Sequence, residues 1–308
     1  MTKEFIKAVW AKTTKPLAIR TGALLLSILV LEIALTVYIP EWKRTFYDAI
    51  EQKQVDQFMS GILMFLITMG TLTLTQSLKG FVACRLGLNF RTAITKVLLK
   101  MWTKSKDLMA FNNPAQRVNE DAKFCTDNTF VVLAEVFISL GIVIFLILHN
   151  LDHGLLICAA ILYTVVVSGG AILFNKPMKT ADLDLQQAEA NHRTSLAKIA
   201  LDLGDYTAKS AYLEVVGAYS KYVVVTTKFY LFRSFQNNVS ILVPFMILVP
   251  PYFAGIGSFG SIMEGVSIFE LLVINGTILL SLYLQVVKAQ AGLHRLVEFF
   301  TDIKKKGK

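Results

Sequence analysis

The sequence predicts an all-α membrane protein with six transmembrane helices and long cytoplasmic extensions. Of its 308 residues, 54% are hydrophobic and only 17% are charged. A soluble domain has about 45–50% apolar and about 25% charged residues. In addition, six apolar stretches reach the length of about 20 residues that a helix needs to cross a bilayer. They are residues 17–39, 58–77, 129–148, 154–174, 239–259 and 268–287.

The first span is not a cleaved signal peptide, and the second helix continues past its span. The apolar run of the first span exceeds the roughly 7–15 residues of a signal-peptide core, and no small-residue cleavage site follows it. An external loop over residues 40–57 leads to the second span. After it, apolar residues recur at helical spacing, so the second helix is expected to continue far beyond the membrane. These residues are Leu86, Phe90, Ile94, Val97, Leu98 and Met101.

The second half of the chain combines short external turns with a long internal segment. The turn at residues 149–153 joins spans three and four. The segment at residues 175–238 is compatible with helix and has a likely break at Gly204. The fifth span is irregular because Pro244, Pro250 and Pro251 interrupt it. Such breaks persist in membrane helices where neighbouring helices satisfy the backbone. Residues 260–267 form the last predicted external loop.

The distribution of positive charge sets the orientation. All but three of the 31 Lys and Arg residues lie in the termini or in the segments at residues 78–128 and 175–238. The exceptions are Lys43, Arg44 and Lys53. The positive-inside rule therefore places both termini and both long segments in the cytoplasm. The net charge of +9 is explained by this bias and by anionic membrane lipid nearby, so no nucleic-acid partner is expected.

The three cysteines and four histidines indicate no disulfide framework, metal site or cofactor. Cys84 and Cys125 lie on the reducing side and Cys158 lies within a span. His149 and His153 bracket an external turn at i, i+4, where two solvated residues are a simpler interpretation than a metal site. No metal or other cofactor is expected on these grounds.

The stretch "FNNPAQRVNED" at residues 111–121 is the most polar turn in the chain. Pro114 disfavours the helical state in Asn113, so one helix stops there and another can begin at Pro114. Helical spacing then places a group of polar side chains on one surface, in which Arg117 and Asp121 can pair. The alternative is a capped, solvated loop. The polar group comprises Gln116, Arg117, Glu120 and Asp121.

Carboxylates within membrane spans are costly and usually functional. Glu32 lies two-thirds along span one, Glu135 one to two turns inside span three, and Glu270 at the outer start of span six. A carboxylate in a low-dielectric site can act as a proton carrier near neutral pH, which makes these three residues candidates for proton coupling. The alternative is that each carboxylate pairs structurally with a neighbouring helix.

Four motifs resemble the membrane domains of one transporter group. "FNNPAQRVNED" is similar to the first cytoplasmic loop of peroxisomal-type ABC half-transporters and of the bacterial SbmA/BacA peptide-uptake family. "DLQQAEANHR", with Glu189 and Arg193, resembles their E-x-x-F-R motif. "IPEWKRTFYDAIEQKQVDQF" resembles their first external loop, and "AGLHRLVEF" their A-x-x-R-L-x-x-F ending. The matches occur in the same order and cover residues from about 17 to 300.

The resemblance implies an ABC-exporter-like transmembrane domain that works as a homodimer in the bacterial inner membrane. It further implies proton-driven uptake of peptides or peptide-like antibiotics, with Glu120, Glu135 and Glu189 best matching the glutamates of the cavity. The sequence contains no G-x-x-x-x-G-K-[ST] phosphate loop. We therefore expect a chain without a nucleotide-binding domain, and not an enzyme.

Two alternatives to proton-driven peptide uptake remain open. The chain can be the membrane subunit of an ABC transporter that works with a separate ATPase subunit. It can also be a non-transporting membrane scaffold, or an immunity protein against a peptide toxin.

Overall fold

The computed structural model describes residues 2–13, 15–104, 117–126, 129–201 and 208–306. Over these residues the protein is helical, with no strand, which confirms the predicted all-α class. The helices are α1 (Thr2–Lys12), α2 (Lys15–Glu51), α3 (Val55–Trp102), α4 (Ala122–Thr126), α5 (Thr129–His149), α6 (Gly154–Ala200), α7 (Ala208–Ser240), α8 (Leu242–Phe253) and α9 (Phe259–Lys306). A π-helical turn, Arg117–Asp121, precedes α4, and a 3₁₀ turn, Leu151–His153, precedes α6.

Five stretches of helix among the described residues are long and apolar enough to cross a membrane, by length and composition alone. They are Lys15–Glu51, Val55–Trp102, Thr129–His149, Leu151–Ala200 and Phe259–Leu282. Each contains, wholly or for the most part, one of the predicted spans. Helices α3, α6 and α9 have 48, 47 and 48 residues. At about 1.5 Å per residue each is about 70 Å long, so these helices extend well beyond a hydrocarbon layer of about 30 Å.

The predicted span at residues 239–259 is not one continuous helix. It is divided between the end of α7, an interruption at Ile241, and α8, which has only 12 residues. Pro244 has no N–H group, so the carbonyl of Ser240 lacks its normal helical donor, and the helix is interrupted there. At the other end, Gly255 takes a positive φ of 80°. Its N–H bonds the carbonyl of Tyr252 at 2.9 Å, which is part of a common helix-closing motif.

The predicted external loop at residues 40–57 is mostly helical. Helix α2 continues through Pro40 to Glu51, and α3 begins at Val55. Trp42 explains this extension, because its indole Nε1 donates to the carbonyl of Gly61 in α3 at 2.9 Å. The same ring lies 4.9 Å from the rings of Phe46 and Phe65. These contacts with the neighbouring helix stabilise a helical end that the proline alone would not predict.

The predicted external loop at residues 260–267 is also helical. Two carboxylates at the end of α2 cap the start of α9, since Asp48 Oδ1 accepts from the Gly260 N–H at 2.9 Å and Glu51 Oε2 accepts from the Phe259 N–H at 3.0 Å. Free N–H groups at a helix start favour such partners. A Cβ on Gly260 would collide with the backbone carbonyl of Arg44, so glycine permits the close approach of the two helices.

The helices bury two separate apolar cores. The membrane core is formed by α2, α3, α5, α6 and α9. The second core joins α1, α4 and the extensions of α3 and α9. We call this unit the stalk. It is formed by Thr2–Lys12 and residues 93–98, 117–126 and 292–303. Phe5 of α1 is fully buried there, 5.3 Å from the ring of Phe300.

Helix α7 packs mainly along α6 and buries little else. The ring of Phe174 in α6 lies 5.8 Å from that of Phe229 and 5.3 Å from that of Phe232 in α7. Gly170 allows this approach, because a Cβ there would collide with the ring of Phe232. The face of α7 that points away from α6 is therefore left exposed in the single chain.

Candidate functional site

Three charged side chains from three helices meet within the membrane core. The Lys79 ammonium lies 3.0 Å from Glu32 Oε1 and 2.7 Å from Glu135 Oε1. The side chains of Lys79, Glu32 and Glu135 are 12%, 6% and 34% exposed. We call this group the ion triad. Because such charges are costly in hydrocarbon, the cation accounts for the stability of both carboxylates there.

The three helices carry the triad because small residues allow them to approach. Gly141 in α5 packs directly on Ile33 in α2, one residue after Glu32, and a Cβ at Gly141 would collide with that side chain. Lys79 lies on α3 beside Gly80, which lines the same site but has open space around it and makes no close helix contact. The site is thus held by continuous helices of the apolar core, not by loops.

The triad lines a cavity of about 510 Å³ between α2, α3, α5 and α9. Its other polar walls are Thr36, Gln76 and Asn275, and the rest of the lining is aliphatic. This volume falls within the usual range of small-molecule sites, about 300–1,000 Å³. Among the described residues, no three His, Cys, Asp or Glu side chains are grouped as metal ligands.

The charges of the triad do not balance. With all three groups ionised, two carboxylates face one ammonium, so the site carries one excess negative charge. One oxygen of Glu32, Oε2, is buried and accepts no hydrogen bond. Burial of a net charge is expensive, and the ion pairs of the site do not balance this excess negative charge.

Sequence reasoning found both carboxylates and missed the cation. It counted Lys79 with the cytoplasmic positive charges, whereas the structure places this residue between Glu32 and Glu135. The structural-pairing alternative is thus observed for these two glutamates. A signal was available, since two carboxylates in neighbouring spans require a cation, and Lys79 is the first basic residue after the second apolar stretch.

A second ionic cluster, in the stalk, joins two of the sequence motifs. Asp121 is buried, and its Oδ1 accepts hydrogen bonds from Arg295 Nη2 at 2.9 Å and Nε at 3.2 Å. The predicted pair with Arg117 is also present, at 3.4 Å. The hydrogen bond from Arg295 to Asp121 raises the pKa of the guanidinium further. The cluster fixes the π-helical turn to α9, and its role is structural.

The remaining predicted residues lie away from the triad. Glu120, Glu189 and Arg193 are exposed, and the structure does not bring them to the cavity. Glu270 lies 3.7 Å from Lys43 in an ion pair between α9 and the outer part of α2. Asn113, Pro114 and Gln116 lie outside the described residues.

Comparison with known proteins agrees with this architecture. Residues 14–201 match the family described as ABC transporter transmembrane region 2. The Escherichia coli (strain K12) protein "Inner membrane ABC transporter ATP-binding protein YddA" is 22% identical over 96% of this chain and 59% of its own length. The chain thus spans about three fifths of that relative. Together, the family match and the helical membrane architecture show that this multi-pass membrane protein belongs to the ABC transporter transmembrane region 2 family.

Proposed function

We propose that the protein is a transporter that uses a proton gradient to import peptides or peptide-like antibiotics across the bacterial inner membrane. In this proposal both termini and the stalk lie in the cytoplasm, and the chain catalyses no reaction of its own. The observation that carries the proposal is the ion triad, because it has one carboxylate more than its single cation neutralises.

Glu135 is the proposed proton carrier. Its side chain is 34% exposed, against 6% for Glu32, so water in the cavity reaches Glu135 more easily. Proton uptake there removes the excess charge, and the neutral site can then be closed off from water at lower cost. Release on the other side restores the charge and completes the cycle. Glu120, Glu189 and Glu270, which lie elsewhere, are secondary candidates.

The class of substrate comes from the motifs alone. The four motifs that resemble the SbmA/BacA family support peptides or peptide-like antibiotics, and in this proposal the cavity lined by the triad holds part of such a molecule. A transport assay with purified chain in proteoliposomes tests both points. The expected result is uptake of a labelled peptide that requires an imposed proton gradient, ceases when a protonophore collapses it, and needs no ATP.

The second candidate function is that of the membrane subunit of an ABC transporter with a separate ATPase subunit. The name of the E. coli relative, which includes "ATP-binding protein", favours it. In that arrangement the stalk and the ends of α6 and α7 would contact the ATPase. Uptake that stays absent under a proton gradient, and starts only with an added ATPase subunit and ATP, would establish this alternative.

The functional unit that we propose is a homodimer. On the side of α7 away from α6, Leu213, Leu231 and Phe235 are 62%, 71% and 67% exposed. Part of this face lies beyond the membrane, where water would meet apolar side chains, and surfaces of this kind mark interaction sites. Mass measurement in nanodiscs tests the proposal, which a homogeneous, transport-active monomer would contradict.

A further inference from the structure

The position of Lys79 between two unequal carboxylates suggests how a proton could change the arrangement of the helices. The ammonium bonds Oε1 of each glutamate, and so links α3 to both α2 and α5. On α2, the second oxygen of Glu32 is buried and has no donor. The triad therefore contains an unused acceptor beside a cation that has three N–H groups to donate.

We propose that Lys79 is a switch that moves onto Glu32 when Glu135 takes up a proton, and that this movement releases α5 from α3. The proposal rests on the proposed function, in which Glu135 is the proton carrier. A hydronium ion in the cavity water gives up the proton: one of its O–H bonds breaks as an O–H bond forms on the Glu135 carboxylate, and a water molecule remains. The N–H···O contact from Lys79 to Glu135 is lost, and a hydrogen bond from Lys79 to Glu32 Oε2 replaces it.

Electrostatics gives the direction of the movement. Before proton uptake, a negative group on α2 and another on α5 both attract the ammonium. Afterwards Glu135 is neutral, and only Glu32 retains a charge, in a site where low dielectric strengthens its attraction. The unpartnered Oε2 then gains a donor, which removes the cost of leaving a buried carboxylate oxygen unsatisfied.

Among the described residues that line this cavity, no other side chain is charged. The neighbours of Glu135 that line the cavity are Glu32 from α2, Lys79 from α3, and only uncharged side chains from α9, of which Asn275 is polar. Asn275 already donates to the Leu271 carbonyl of its own helix at 2.8 Å. Titration at the site therefore concerns the two glutamates and the lysine.

Loss of the Lys79–Glu135 ion pair would weaken the contact between α3 and α5 only beside the cavity. Nearer the start of α5, the rings of Phe90 in α3 and Phe130 in α5 lie 5.2 Å apart. Just before α5, Gly87 in α3 approaches the backbone carbonyl of Thr126 at the end of α4. Neither contact depends on protonation. They provide a pivot, so loss of the Lys79–Glu135 pair would let the two helices separate around the cavity while their inner ends stay packed.

The test measures proton uptake and helix movement separately. Infrared difference spectra between pH 9 and pH 5 report the C=O band of a protonated carboxyl group. Spin labels at Leu78→Cys in α3 and Leu133→Cys in α5 report the helix separation, in a background with Cys84, Cys125 and Cys158 replaced by Ser. Labelled chains are diluted with unlabelled protein, so that only distances within one chain are read.

In the parent protein we expect the carboxyl band to appear at low pH and the label distance to increase by about 1–2 Å or more, the usual scale of helix shifts. Glu135→Gln should lack the band and keep the longer distance at every pH. Lys79→Met should keep the band and lose the pH-dependent change in distance, whereas Lys79→Arg, which retains the charge, should restore it. Glu214→Gln, an exposed carboxylate on α7, is the control and should behave like the parent.

The outcomes distinguish the two proposals. Absence of the band from the parent protein would contradict proton coupling at the triad itself. A band in the parent together with an unchanged distance, or a distance in Lys79→Met that still follows pH, would overturn the switch and leave proton uptake standing. If Lys79→Met does not fold, the double variant Lys79→Met/Glu32→Gln removes one charge of each sign and gives the same readout.

Discussion

Replacement of Asp121 by Ala should loosen the stalk without affecting the membrane core. Asp121 is the one carboxylate among the described residues that joins the π-helical turn to α9, through Arg295 at 2.9 and 3.2 Å and with Arg117 at 3.4 Å on its own turn. Its side chain is 9% exposed. Truncation would leave two guanidinium groups without their shared acceptor.

The size of the effect follows from the geometry. A hydrogen bond to a charged group contributes about 1.5–3 kcal/mol. Arg295 is itself 46% exposed, so water replaces part of the lost interaction and screens the rest. We therefore expect the local opening free energy of the stalk to fall by about 2 kcal/mol, which corresponds to about 30-fold faster amide exchange.

Hydrogen exchange measured by mass spectrometry tests this expectation. Peptides covering residues 117–126 and 292–303 should exchange faster in Asp121→Ala, while those covering the triad stay unchanged, because local opening is confined to cooperative units. Glu120→Ala is the matched control. Glu120 is the adjacent carboxylate on the same turn, but it is exposed, so its removal should change the exchange rate less than twofold. Equal effects of the two substitutions would refute the role assigned to Asp121.

Two further predictions concern the contact of α9 with α2 and the reactivity of a cysteine thiol. Gly260→Ala should destabilise the protein by about 1–3 kcal/mol, because the new methyl group meets the Arg44 carbonyl. Thermal unfolding in detergent measures this. Gly22→Ala, inside α2 and with open space around it, is the control and should not destabilise the protein, because Ala favours a helix more than Gly does. Burial raises the pKa of Cys125 to about 11, so at pH 8 only about one thiol in a thousand is the reactive thiolate. In single-cysteine variants, maleimide should label Cys125 at least tenfold more slowly than the exposed Cys84, with a rate still rising above pH 9; equal rates would contradict the assigned pKa.

Apolar length predicted most of the membrane helices from the sequence. Five predicted spans coincide with helices that are long and apolar enough to cross a membrane. The prediction succeeds because a spanning helix needs about 20 consecutive apolar residues, and such a run is a local property of the sequence. The long extension of α3 was also predicted, from helical spacing, and that of α6 from a segment compatible with helix. The span at residues 239–259 was assigned less well, since the effect of Pro244 on the Ser240 carbonyl depends on local backbone geometry.

The errors arise where distant parts of the chain interact. Residues 40–57 were predicted as an external loop, yet α2 continues to Glu51, and the hydrogen bond from Trp42 to Gly61 supports this extension. The start of α9 at Phe259 depends on Asp48, which lies more than 200 residues away. The pairing of Lys79 with Glu32 and Glu135 was not predicted, because charge counting treats each residue alone.

The most direct test of proton coupling is uptake of a labelled peptide into proteoliposomes that contain only this chain, with an imposed proton gradient and no ATP. We predict that Glu135→Gln abolishes gradient-driven uptake while peptide binding stays within a few-fold of the parent, and that Glu135→Asp retains partial activity with a shifted pH optimum. Glu214→Gln should transport like the parent. Transport by Glu135→Gln equal to that of the parent at every pH would contradict the assignment of the proton to the ion triad at Glu135.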